Sequence, residues 1–277
     1  VVSCNRDGIV MVEGGCQETS EQVVVEALAL ARASAAPLFE ALERLRAAAG
    51  KEKRVVTAPE ADADLSRQVR EVAEPLLREA LRVPEKLARA QARREAKAKA
   101  LVALGMGPDV GDAPRRDEAS DLLEDLERTL MRLEALDGRR ADGRGPKDIR
   151  AIACRAGWLK RTHGSSLFTR GETQAVVTCT LGTEQDAQSI ETLDGQHTQR
   201  FLLHYNFPPY CVGEVRPLRG PGRREIGHGY LARRALAAVL PPLEVSPYTI
   251  RLESLITESN GSSSMASVCG GALALMD

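Results

Sequence analysis

The chain has 277 residues, 43% hydrophobic and 28% charged, enough apolar material for packed cores and too much for bulk disorder. With 38 Lys+Arg against 39 Asp+Glu the formal charge is −1, which excludes nucleic-acid binding by overall basicity and leaves only local basic surfaces. At about 150 residues per domain the length accommodates roughly two domains. No signal-peptide pattern opens the chain, and no apolar run reaches the ~18 residues of a membrane span, so no membrane partner is expected. Cys4, Cys16, Cys154, Cys179, Cys211 and Cys269 form no C-x-x-C pair, the usage of reduced thiols in a cytoplasmic protein. Val1 and Asp277, the latter directly after an apolar run, are expected to be cuts in something longer.

Taken in chain order, Gly8 to Glu13 reads as a short buried strand bounded by Gly14-Gly15. Thr19 to Gln22 has the spacing of a capping box, with Thr19 as N-cap and Gln22 reaching back. The helix that follows should bury Val23, Ala27, Leu30, Ala31, Leu38, Leu42 and Leu45, be kinked or split by Pro37, and end at Gly50. From about Pro59 to Asp137 the chain is rich in Ala, Leu, Arg and Glu; Leu65, Val69, Val72, Leu76 and Leu122, Leu126, Leu130, Leu133 recur at helical spacing. This predicts a small all-α unit, with its loop from Gly105 to Pro114. Beyond Arg140 the character changes. Strands are predicted at Thr173–Thr180, Arg200–Asn206 and Tyr248–Glu258, and helices at Glu225–Val239 and Met265–Met276, which makes the fold α+β or α/β.

Two features here could do chemistry. Gly261-Ser262-Ser263-Ser264 lies between a predicted strand and a helix, where open N–H groups, the positive dipole end and hydroxyls would make an anion pocket. The alternative is plain capping, for which serine is a preferred residue. Between Val215 and Ala235, six arginines (Arg216, Arg219, Arg223, Arg224, Arg233, Arg234) face one acid, Glu225. Gly220-Pro221-Gly222 suggests a loop from which Arg223 and Arg224 project, and guanidinium forks suit phosphate; a merely solvated face is the alternative. His228, four residues after Arg224, could donate to a phosphate oxygen, whereas His163, His197 and His204 are expected to be structural. At 3% aromatic, the composition argues against RNA recognition by extended base stacking.

Five strings then resemble polynucleotide phosphorylase, in that family's order and spacing. They are Arg140-Ala141-Asp142-Gly143-Arg144, Arg161 to Gln174, His204-Tyr205-Asn206-Phe207-Pro208-Pro209-Tyr210, Gly222 to Gly229, and Thr257 to Gly270. The resemblance covers nearly the whole chain: 1–54 as the end of a first ribonuclease-PH-like core, 55–139 as an all-α linker domain, and 140–277 as most of a second core. It implies an α+β, ribonuclease-PH-like (ribosomal protein S5 domain 2-like) fold. The implied activity is phosphorolytic 3′-to-5′ RNA degradation, in which inorganic phosphate releases nucleoside diphosphates, reversible as template-independent polymerisation. Catalysis would then be mainly positioning and charge neutralisation. By resemblance Ser263 and Ser264 hold phosphate with Ser262 nearby, Arg223 and Arg224 bind RNA or the attacking phosphate, and His228 steadies the charge. Single-stranded RNA, a homotrimer, RNA-degradation complex partners and Mg2+ are implied too, with the family's metal-binding aspartates falling beyond Asp277. Tyr230 stands where the family is expected to carry a basic or small residue.

Two other classes stay in view. A non-catalytic RNA-binding or scaffold subunit of the same fold would bind RNA without releasing diphosphates. A hydrolytic exoribonuclease would release monophosphates and ignore phosphate. The 277 residues alone are expected to show at most weak anion or RNA affinity and no magnesium-dependent phosphorolysis.

Overall fold

The computed structural model describes residues 1–16, 18–56, 62–107, 113–218 and 220–277. They fall into two compact units: Val1–Val56 together with Ile152–Asp277, and Thr57–Ala151.

In the first unit, strands β1 (Val2–Cys4) and β2 (Ile9–Val12) pair antiparallel. The predicted strand is there, yet β2 is exposed along its whole length. Helices α1 (Glu21–Ser34) and α2 (Ala36–Ala49) follow, separated at Ala35, with Pro37 in the first turn of α2 where its missing N–H costs nothing. The N-cap is Ser20, whose hydroxyl accepts from Val23 N, and not Thr19; Gln22 donates instead to Glu26. The apolar side expected to be buried is mostly exposed, Leu30, Leu38, Leu42 and Leu45 each being more than half so. By length and composition Glu21–Ala49 is apolar enough to cross a membrane, which corrects the reading that no run reaches that size. Its two 14-residue helices are each about 21 Å long, short of the ~30 Å hydrocarbon core.

The rest of this unit is a five-stranded sheet in the order β3 (Ile152–Ala156), β4 (Gly164–Arg170), β5 (Gln174–Gly182), β9 (Thr249–Glu258), β8 (Phe201–Asn206). All neighbours run antiparallel except β8 and β9. A separate hairpin, β6 (Gln188–Thr192) with β7 (Gly195–Gln199), precedes β8. β3, β4 and the hairpin are additions to the strands expected from the sequence. Helix α6 (Arg223–Ala237) packs on β8, and α7 (Ser263–Met276) lies across β4 and β5. The core between sheet and helices holds Phe168, Val177, Leu236, Leu252 and Ile256. α7 presses so close that a Cβ on Gly270 would stand 2.7 Å from Val177 Cγ2.

The second unit is three helices: α3 (Ala63–Leu81), α4 (Lys86–Ala103) and α5 (Ala113–Leu136). Asp62 caps α3 through Leu65 N, and Glu85 caps α4 through the amides of Leu87 and Ala88. Of the apolar stripe, Leu65, Val69, Leu126 and Leu130 lie in the core, whereas Leu133 is exposed and Leu77 and Leu123 are buried in its place. Glu127 is buried but paired with Arg93 and with Lys97 at 2.8 Å, as a buried carboxylate must be. Of the expected loop, 108–112 lie outside the described residues, and Pro114 belongs to the first turn of α5.

Candidate functional site

The serine turn is built by backbone geometry and pinned from one side. Gly261 (φ 84°) and Ser262 (φ 54°) both adopt the left-handed region, the second at a cost for a residue with a Cβ. Their carbonyls are held by the turn between β4 and β5: Arg170 Nη2 donates to Ser262 O at 2.9 Å, and Thr173 Oγ1 to Gly261 O at 3.2 Å. Thr173 Oγ1 also accepts from Asn260 N. The Ser262 carbonyl also accepts from Ala266 N at 3.3 Å, closing the first turn of α7. Ser262 occupies the N-cap position, but no side-chain hydroxyl caps the helix. Plain capping, the simplest reading of these serines, is therefore not what they do.

The three serines differ. Ser262 is exposed and Ser264 half-buried, while Ser263 is 2% exposed with its hydroxyl sharing a 2.7 Å hydrogen bond with Tyr205 Oη. Tyr205, on β8, is the hub of the arrangement. Its ring meets the His228 imidazole edge-on at 5.2 Å and stacks at 6.1 Å on Phe207, over whose face Arg224 lies at 4.4 Å. Burial raises the Tyr205 phenol above its ordinary value, so it stays protonated. The His228 imidazole is lowered, first by burial and second by the neighbouring Arg224 guanidinium, and its buried Nδ1 has no partner. A neutral histidine with an unspent ring nitrogen thus sits beside an arginine and behind the serine turn.

The arginine pair does not lie in a loop: Arg223 and Arg224 are the first residues of α6, after N-cap Gly222. Glu225 Oε2 accepts from Gly222 N at 2.6 Å and Oε1 from Phe207 N at 3.3 Å, fixing the start of the helix against the end of β8. Both arginines are exposed, and the positive end of α6 adds to their field. Among the other arginines, Arg216 pairs with Glu214 at 3.2 Å and Arg234 with Glu13 at 3.0 Å; Arg219 lies outside the described residues. His163 accepts from Leu181 N at 3.0 Å, a structural role.

Arg170, Thr173, Tyr205 and Phe207 stand inside the longer family-like strings, yet nothing in their local sequence assigns them a task. A tyrosine at a predicted strand's end, two residues from a phenylalanine, is the one available signal. Magnesium fares differently. Among the described residues no three His, Cys, Asp or Glu side chains converge. Glu172 is engaged by Asn260 Nδ2 and Glu225 by two amides, and Asp277 lies at the far end of α7, accepting from Ser165 N. These residues do not fit a magnesium site.

Known proteins match the chain in two blocks. The family described as "3' exoribonuclease family, domain 1" matches residues 148–277, and "Polyribonucleotide nucleotidyltransferase, RNA binding domain" matches residues 64–145. The polyribonucleotide nucleotidyltransferase of Anaeromyxobacter dehalogenans (strain 2CP-1 / ATCC BAA-258) is 51% identical over 286 residues, covering 100% of this chain and 40% of that protein. That of Desulfotalea psychrophila (strain LSv54 / DSM 12343) is 48% identical over 278 residues, with the same coverage. In a solved structure of the Archaeoglobus fulgidus exosome with RNA bound to the active site, one chain overlaps 56% of this chain and 62% of its own length. Its TM-score of 0.44 and 19% identity are too loose to bear on the site. The chain spans about two fifths of the length of the curated relatives it matches. Matched end to end at about half identity, and by both blocks in turn, it belongs to the polyribonucleotide nucleotidyltransferase family.

Proposed function

We propose that this chain carries the phosphate-holding and RNA-end-holding half-site of a phosphorolytic 3′ exoribonuclease. The observation that supports it best is the chain of neighbours from Arg224 through Phe207 and Tyr205 to His228 and Ser263, which ties two helix N-termini into one anion-facing cluster. In the reaction, an oxygen of inorganic phosphate attacks the phosphorus of the terminal phosphodiester. The bond to the preceding 3′ oxygen breaks, that oxygen takes up a proton, and a nucleoside diphosphate leaves. The enzyme needs no covalent intermediate; its task is to hold two anions in line and neutralise the charge that develops.

In this reading the Ser264 hydroxyl and the first N–H groups of α7 hold inorganic phosphate. Ser263 positions the turn through Tyr205, and exposed Ser262 borders the site. Arg223 and Arg224 hold the RNA phosphate or the attacking one, and neutral His228 keeps a ring proton to donate to a phosphate oxygen. Residues 1–54, 55–139 and 140–277 would be the end of a first core, the helical linker and most of a second core. Single-stranded RNA and phosphate are the substrates. A homotrimer, partners in RNA degradation and a cytoplasmic setting follow from the family resemblance. The magnesium it also implies would need carboxylates other than those described, and no step is derived through it.

The test is a chimera in which this chain replaces the aligned segment of the Anaeromyxobacter dehalogenans relative. It should release nucleoside diphosphates from labelled RNA only when phosphate is added. Arg223→Ala with Arg224→Ala should cut that release sharply, since a hydrogen bond to a charged group is worth about 1.5–3 kcal/mol and two such groups are removed. Monophosphate release without phosphate would mean hydrolysis, and RNA binding without phosphate-dependent release would mean a scaffold.

A further inference from the structure

Tyr230, which stands where the resemblance leads one to expect a basic or small residue, is half exposed on α6 with the guanidinium groups of Arg233 and Arg234 each 5.5 Å from its ring centre. It lies seven residues after Arg223, hence on the same stripe of the helix and about 10 Å further along the axis. There it lines an open cleft of about 400 Å³ together with Gln188 and Gln199 of the β6–β7 hairpin and His204 of β8. That volume is within the range of small-molecule sites, about 300–1,000 Å³. The cleft's polar lining holds two tyrosines, Tyr205 and Tyr230, one arginine, three primary amides, an imidazole and the Glu225 carboxylate, which is engaged by two backbone amides. Gln199 Nε2 donates to Phe201 O at 3.1 Å, so its amide is oriented with the carbonyl oxygen left as the acceptor. Arg234 is anchored by Glu13, which fixes one of the two cations beside the ring.

We propose that this cleft is a nucleobase pocket for single-stranded RNA, with Tyr230 as the stacking platform. Gln199 and His204 read the base edge, and Arg233 meets the adjoining phosphate. The proposal rests on the functional reading above and extends it from the reacting end to a neighbouring nucleotide. An aromatic face stacks any base, so Tyr230 supplies affinity. The Gln199 carbonyl can only accept, so facing position 6 of a purine or 4 of a pyrimidine it favours the amino group of adenine or cytosine over the carbonyl of guanine or uracil. A basic residue at position 230 would supply charge alone; a tyrosine between two arginines supplies charge and a face.

The experiment is fluorescence anisotropy of the full 277-residue chain with a labelled oligoadenylate. It is repeated with oligouridylate and with oligoadenylates carrying single abasic sites at successive positions from the 3′ end. Tyr230→Ala should weaken oligoadenylate binding at least about fivefold and Tyr230→Phe should restore it. One abasic position should weaken the parent by a similar factor and leave Tyr230→Ala unaffected. Oligouridylate should bind the parent several-fold more weakly than oligoadenylate. Undiminished binding by Tyr230→Ala, or an abasic penalty that persists in it, would overturn the pocket while leaving the phosphorolytic reading intact. Equal affinity for the two homopolymers would overturn the role given to Gln199. A parent that binds no oligonucleotide would overturn the pocket, while the phosphorolytic reading is decided by the chimera.

Discussion

Tyr205 and Ser263 share a hydrogen bond in a place where neither hydroxyl reaches water, the residues being 3% and 2% exposed. Removing one partner leaves the other unsatisfied, whereas removing both removes the problem. Tyr205→Phe is therefore expected to destabilise the fold by about 1–3 kcal/mol in urea unfolding. The double variant with Ser263→Ala should lose markedly less than the sum of the two single changes; additive losses would show that the bond contributes nothing. His228 supplies a second consequence. Burial, then Arg224, holds its pKa below the ordinary value, so on acidification the unfolded chain takes up the proton before the folded protein does. The stability tied to neutral His228 is intact above about pH 6.5, declines as the pH falls below that, and levels off once the pH is under the folded-state value. Urea midpoints from about pH 8 to 5 should show this slope, and His228→Asn should flatten it. A slope unchanged by the substitution would assign it to other groups.

At the scale of elements, the approach of α7 to β5 depends on a missing side chain. Gly270 stands where a Cβ would meet Val177 Cγ2 at 2.7 Å and Ser166 Oγ at 3.3 Å. Gly270→Ala should cost about 1–3 kcal/mol through overpacking. Val177→Ala, by opening that space, should lower the cost of the added methyl; the same cost in both backgrounds would mean that α7 simply shifts outward. The elements also show which parts of the fold can be read from sequence. Strand β5 and helices α6 and α7 are legible because β-branched runs and helical spacing sit between glycine and proline signals. β4 is hidden because Gly164-Ser165-Ser166 imitates a loop, although both serines are fully buried: Ser165 holds Leu159 N and Ser166 donates to Gly270 O. The β6–β7 hairpin, nearly all polar and mostly exposed, has no hydrophobic period to detect. Arg223 and Arg224 pass for loop residues because Gly222 reads as a loop continuing, when it is the N-cap.

Across the whole molecule, the candidate site is legible in its parts and not in its wiring. The serines, the arginine pair and His228 can be picked out by residue type and by family resemblance. What joins them is Tyr205 on β8, Phe207 just after it, and Arg170 and Thr173 at the β4–β5 turn, whose hydrogen bonds to the serine turn span 58 to 92 positions that no local pattern encodes. The exposed apolar sides of α1 and α2 mark the other limit, since helical periodicity shows that a face is apolar and not what it packs against. The claim on which the functional account turns is that the α7 turn holds the attacking anion. Its most direct test is the phosphate dependence of diphosphate release by the chimera with Ser264→Ala. The account predicts that half-maximal release will need about tenfold more phosphate or higher, as removal of one charge-assisted hydrogen bond requires, while RNA affinity stays within about twofold. An unchanged phosphate dependence with intact activity would contradict it.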